Sequence, residues 1–224
     1  MTGTTQTVGS SDEERESSEP LLAPDQILDG TYRIRSMLGA GGMGQVFSAR
    51  DLNLDCDVAI KVSWPHVPRG NLRREGMALA ALRHPGLVAV YAMGHHKGLD
   101  YLVMERLYGL SLHDHLYHRG KAHPFSVAEG LEVLIGVADT LAVIHRGGYV
   151  HRDLKPGNIM LAPGHRIVLF DLGISLRADQ AVKIERLAGS PHYMAPDGIT
   201  MSIAQDQGHL IDIYALGVIA YEML

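Results

Sequence analysis

Three glycines spaced Gly39-x-Gly41-x-x-Gly44 lie between two runs of strand-forming residues, and that placement restricts the fold more than any other feature of the chain. Upstream stand Tyr32, Ile34, Met37 and Leu38; downstream, Val46 and Phe47 lead into Ser48 and Ala49. Dinucleotide folds share the spacing, but they need a helix directly after the third glycine, and residues 45–49 are patterned as a strand. The sequence is not a GxxxxGK[ST] phosphate loop either. A glycine-rich hairpin joining two strands lets backbone amides approach a phosphate from above, because no Cβ intervenes.

A second strand is expected over Val58-Ala59-Ile60-Lys61-Val62. A lysine in so apolar a run is costly unless it is paired or touches an anion, although alone it could also snorkel to the surface. The spacing of Leu72, Glu75, Leu79 and Leu82 predicts a helix over Asn71–Arg83, ended by His84-Pro85, and Glu75 on it is a candidate partner for Lys61. Further strands are expected at Leu87–Tyr91 and Tyr101–Met104, separated by a turn region at Gly94–Gly98. Beyond them the chain turns helical. Ser126 and Glu129 form a capping-box pattern that opens a helix with Leu131, Leu134, Ile135, Ala138, Leu141 and Ile144 inward, and Gly147-Gly148 stop it. A hairpin-like stretch follows from Tyr149 to Phe170. Residues Leu210–Leu224 are apolar on nearly every face, as in a helix buried all round.

Charge separates the ends of the 224-residue chain. Residues 1–28 carry six acids and one base, and the rest has 19 acids and 19 bases, so the net charge of −5 belongs to the leader. A body of zero net charge is not a basic nucleic-acid reader. Residues 1–26 are rich in Ser, Thr and Glu, and a disordered acidic tail over 1–28 is expected. No apolar run approaches the ~18 residues of a membrane span. One cysteine, Cys56, excludes an internal disulfide framework and points to a reducing, cytoplasmic setting.

The chemistry-bearing residues come last. His151-Arg152-Asp153-Leu154-Lys155-Pro156-Gly157-Asn158 is followed by Asp171-Leu172-Gly173 behind the apolar Ile167–Phe170. Two acids and an asparagine brought together by a loop and a strand end are hard oxygen ligands and a base suited to Mg²⁺-phosphate chemistry.

In this order the motifs resemble the eukaryotic-type Ser/Thr protein kinase family, over about Tyr32 to Leu224, and the stretches Gly41–Phe47 and Arg83–Val88 resemble its bacterial signalling branch. The resemblance implies an α+β, bilobal fold: a small β-rich N-lobe with hinge over 29–107, and a partial helical C-lobe over 108–224 that ends at the family's central buried helix. It implies ATP, Mg²⁺ and protein substrates bearing Ser or Thr. Gly39, Ala40, Gly41, Gly42, Met43 and Gly44 would cover the phosphates, Lys61 would hold the α- and β-phosphates, and Glu75 would pair with Lys61. Asp153 would accept the substrate hydroxyl's proton and Lys155 would steady the γ-phosphoryl group, while Asn158 and Asp171 would hold Mg²⁺. Leu38, Val46, Ala59 and Met160 would sandwich adenine, and Glu105 to Leu107, just after Met104, would read its edge. Lys155 favours Ser/Thr over Tyr acceptors.

Departures are also visible. Leu172 stands where the family has Phe, and packing should survive. Asp197 in Ala195-Pro196-Asp197 replaces a glutamate. The stretch from Asp171 to Pro196 offers only Ser175 and Ser190 as hydroxyls besides Tyr193, so Glu185 is the expected fixed partner of Arg152. The family's lower lobe continues past Leu224, so the chain is expected to be a truncated one whose last helix would expose apolar surface to a partner or a second copy. The competing expectation is a catalytically weak nucleotide-binding or scaffold module. The histidines, with His113, His115 and His118 clustered, lack structural-zinc spacing, and His151 is expected to pack beneath the Asp171 loop.

Overall fold

The computed structural model describes residues 19–68, 70–117, 125–172, 190–196 and 207–223, with the backbone alone of 176–177. The alternating first half forms one antiparallel sheet from β1 (Ile27–Leu28), β2 (Tyr32–Gly41), β3 (Gly44–Asp51), β4 (Cys56–Ser63), β5 (Val90–His96) and β6 (Leu99–Glu105), ordered β1-β2-β3-β4-β6-β5. Successive side chains alternate across a strand. In β4 this sends Val58, Ile60 and Val62 into a core with Ile34, Phe47, Ala49, Tyr101 and Val103. Ala59 joins a second core on the other face, where Lys61 also lies.

Leu22 and Leu28 complete the first core, at 2% and 1% exposure. The buried Gln45 carboxamide ties down the segment before them, accepting from the Leu21 N–H at 2.7 Å and donating to the Glu19 carbonyl at 3.2 Å. The expected disordered tail over 1–28 is therefore corrected for 19–28. Two leucines that find a preformed pocket offset the ordering of a short strap, which window-averaged composition does not register. Residues 1–18 lie outside the described residues.

Helix α1 (Asn71–Ala81) packs on β5 and β6 through Leu72, Ala78 and Leu79. Gly76 sets the closeness of that approach: a Cβ there would fall 2.5 Å from Met93 Sδ and 2.8 Å from Leu102 Cδ1. The third expected strand is shifted to Val90–His96, and the turn shrinks to Lys97-Gly98, both left-handed. Gly94 sits within β5 opposite Tyr101, whose ring would lie 2.3 Å from a Cβ at that position. It is a packing glycine, not a turn glycine.

The second half comprises β7 (Leu110–Ser111), α2 (Leu112–Leu116), α3 (Val127–Arg146), β8 (Tyr149–Val150), β9 (Ile159–Ala162), β10 (Arg166–Leu169), β11 (Leu176–Arg177) and α4 (Leu210–Met223). The Ser126–Glu129 capping box forms as expected. The inward face of α3 matches expectation only in part: Leu141 and Ile144 are buried and Leu134 half-buried, but Gly130, Val133, Val137 and Thr140 are buried with them, while Leu131 and Ile135 are 49% and 66% exposed and Ala138 is exposed. This helix carries two stripes at helical spacing. Close approach to β10 selects one of them, since a Cβ at Gly136 would meet Ile167 at 3.0 Å. Likewise α4 buries Asp212, Ala215, Ile219 and Met223 but leaves Leu210, Ile213, Tyr214 and Tyr221 exposed, so it is not enclosed on all sides. Among the described residues no helix is long and apolar enough to cross a membrane.

Candidate active site

The site lies between the sheet and the helical half, and each of its groups is placed by an element already described. Pairing of β4 with β3 and β6 sets Lys61 opposite Val46 and Leu102. The close approach of α1 brings Glu75 over it. Lys61 Nζ donates to both Glu75 carboxylate oxygens at 2.8 Å and to Asp171 Oδ1 at 2.5 Å. Burial pushes Lys61 toward the neutral amine, but Asp171 and Glu75 outweigh it and hold the amine above its ordinary value. Burial raises Glu75, against the pull of Lys61. Burial also opposes the charge on Asp171, yet Lys61 keeps that carboxyl below its usual range. One ammonium thus joins two carboxylates, one fully enclosed and one with a side chain 40% exposed to the cleft.

Between β8 and β9 runs the loop that carries Asp153, Lys155 and Asn158. Its anchor is Asp212 of α4, fully buried, whose two oxygens accept from the backbone N–H of His151 at 2.9 Å and of Arg152 at 2.8 Å. Nε2 of His145 lies 2.7 Å from one of them. Sequence reasoning missed Asp212; the available signal was a single acid in the first turn of a helix otherwise almost wholly apolar. His151 is fully buried as expected, its ring nitrogens have no partner, and burial pushes its pKa down.

Asp153 sits at the meeting point. Its Oδ1 accepts from the Ser190 hydroxyl at 3.0 Å, and its Oδ2 accepts from Lys155 Nζ at 2.9 Å and from Asn158 Nδ2 at 3.3 Å. Lys155 also donates to Ser190 Oγ at 3.0 Å. A hydroxyl therefore touches a carboxylate and an ammonium together, which is the geometry for drawing off its proton while a neighbouring negative charge is held.

The glycine hairpin is open where a ligand would need room: a Cβ at Gly39, Gly41 or Gly42 would meet nothing within 4 Å. Gly44 is obligatory for another reason, since a Cβ there would fall 1.9 Å from the Val62 carbonyl oxygen. Ala40 and Met43 lie on the same hairpin. Val46, Ala59, Met104, Leu107 and Met160 share one apolar cluster facing the cleft, while Leu38, 40% exposed, lies outside it. At the end of β6 the Glu105 carboxylate is gripped by both terminal nitrogens of Arg166, which also donates from Nε to the Pro85 carbonyl at 2.7 Å. That Arg166 grip was not expected from sequence.

Leu172 is fully buried, so its side chain does fill the apolar place expected of it. Gly173, Ser175, Glu185, Asp197 and His118 lie outside the described residues, and the proposed Glu185–Arg152 pair with them. Among the described residues no group of three or more His, Cys, Asp or Glu side chains is placed to hold a metal. Asn158 and Asp171 instead offer an amide oxygen and a carboxylate. That set fits Mg²⁺ that takes most of its ligands from phosphate and water, rather than a cage made of protein alone.

Comparison with known proteins shows the family of the chain. The protein kinase domain family matches residues 32–224. The chain is 37% identical over 211 residues to a probable serine/threonine-protein kinase, pknA2, of Bifidobacterium longum, covering 90% of this chain and 27% of that protein. It is 32% identical over 204 residues to the serine/threonine-protein kinase PrkC of Bacillus subtilis, covering 88% and 31%. It is 34% identical over 221 residues to the serine/threonine-protein kinase PknB of Mycobacterium tuberculosis, covering 91% and 34%. The chain thus spans about a third or less of the length of these relatives.

Proposed function

The chain belongs to the protein kinase domain family, and on that premise we propose that it transfers the γ-phosphoryl group of ATP to serine and threonine hydroxyls of protein substrates. The observation that carries this reading is the contact of the Ser190 hydroxyl with both Asp153 and Lys155. A substrate hydroxyl needs the same two neighbours.

In this mechanism the adenine lies in the apolar cluster of Val46, Ala59, Leu107 and Met160, bounded by the hinge at Glu105. The backbone from Gly39 to Gly44 covers the phosphates. Lys61, kept charged by Asp171 and Glu75, binds the α- and β-phosphates. Asn158 and Asp171 would hold Mg²⁺, which when bound neutralises charge on the phosphates. The substrate oxygen attacks the γ-phosphorus as the bond to the bridging oxygen breaks and ADP departs. Asp153 takes the hydroxyl proton, and Lys155 donates a hydrogen bond to the moving phosphoryl group. The Ser/Thr preference rests on Lys155 and on the names of the relatives.

The test is transfer of radiolabel from ATP to a generic protein acceptor with Mg²⁺, run beside Asp153→Asn. Asp153→Asn keeps the shape and removes the base, so labelling should fall by roughly 10²-fold or more. Equal labelling in both would reject the proposal; stabilisation by ATP without any transfer would replace it with a nucleotide-binding module.

A further inference from the structure

We propose that Trp64 is a latch that holds the tip of the glycine hairpin in place over the phosphates of a bound nucleoside triphosphate. The inference rests on the phosphotransfer reading above and makes Trp64 a positioning residue for that reaction. Trp64 is the only tryptophan of the chain and follows directly on the last residue of β4, three residues past Lys61. Its indole N–H donates to the Gly41 carbonyl at 2.7 Å, and its backbone N–H donates to the Met43 carbonyl at 3.2 Å. Gly41 and Met43 lie at the turn by which β2 passes into β3, where Gly41 pairs with Gly44. The strand that carries Lys61 therefore reaches across to the hairpin that covers the same ligand.

This tip needs such a hold. Gly41 and Gly42 are exposed, and a Cβ on either would touch nothing within 4 Å. Glycine backbone is the most costly to order, and a ligand that must order it gives up that free energy on binding. A bond made beforehand removes part of the cost. It also sets direction: across a trans peptide the C=O and the following N–H point opposite ways, and the chain has no cis peptide among its described residues. Fixing the Gly41 carbonyl on the indole thus turns the Gly42 N–H away from Trp64, as a donor for a phosphate oxygen. The indole is itself steadied by the His66 ring, stacked with planes 13° apart and centroids at 6.3 Å.

Trp64→Phe removes the indole donor while keeping an aromatic face for His66 and the backbone bond to Met43. In steady-state transfer to a generic protein acceptor, KM for Mg·ATP should rise about three- to tenfold, the range of one neutral hydrogen bond, with kcat within about twofold of wild type. An independent reading uses the wild type alone. Emission from the single tryptophan should change saturably with Mg·ADP and stay constant with adenosine, which lacks phosphates. Unchanged KM in Trp64→Phe, a loss confined to kcat, or constant emission while Mg·ADP raises the thermal midpoint would each overturn the latch and leave the kinase reading standing. A wild type that neither binds nucleotide nor transfers phosphate overturns both.

Discussion

His151 illustrates how one buried side chain links protonation to folding. Its ring is enclosed without partners, and burial lowers its pKa from the ordinary 6.5. The unfolded chain therefore binds a proton as the pH falls below 6.5 while the folded chain binds it only at lower pH, so stability is full above 6.5 and is lost progressively below it. The slope for one proton is about 1.4 kcal/mol per pH unit. Urea unfolding of wild type and His151→Phe between about pH 7 and about pH 5 should show a steeper loss in wild type; parallel curves would contradict the assignment. The same residue also shows what local sequence conveys. Its place two residues before Asp153 marked it as a packing group, whereas Asp212, which grips its backbone, lies 61 residues away, and its one local mark, an acid in the first turn of an apolar helix, points to no partner. Arg166 was silent for the same reason, being 61 residues from Glu105.

Elements were legible where their determinants are contiguous. The capping box of α3, the β2–β3 glycine hairpin and β4 with its lysine are all set by neighbours in sequence. The buried face of α3 was not, because two apolar stripes compete and only β10 decides between them. The strap before β1 was also illegible, since Leu21 and Leu22 stand in polar company and their pocket is made by strands far along the chain. Leu22, 2% exposed, closes the first core. Leu22→Ala should therefore cost about 2–5 kcal/mol by urea unfolding. A cost under about 0.5 kcal/mol would mean that the strap only rests on the sheet.

At the scale of the molecule, the sheet separates one core of its own from a second that it shares with the helical half, and the Glu105–Arg166 pair ties the end of β6 to β10. The Arg166 hydrogen bonds hold Glu105 below its ordinary value of 4.5. A depressed carboxyl contributes stability above its unfolded pKa and loses it as pH falls through the folded one. Relative to wild type, Glu105→Gln should thus be less stable near about pH 6, and the difference should shrink as pH falls below the ordinary 4.5. A difference that does not change with pH would place the pair's effect in packing rather than charge.

The central claim is that Asp153 and Lys155 receive a Ser or Thr hydroxyl. Its most direct test is the chemical identity of the phosphorylated residue after Mg·ATP is supplied with a mixed protein acceptor. The account predicts phosphoserine and phosphothreonine in the wild type and their loss in Asp153→Asn. Label confined to tyrosine or histidine, or equal phosphoserine in both proteins, would contradict it.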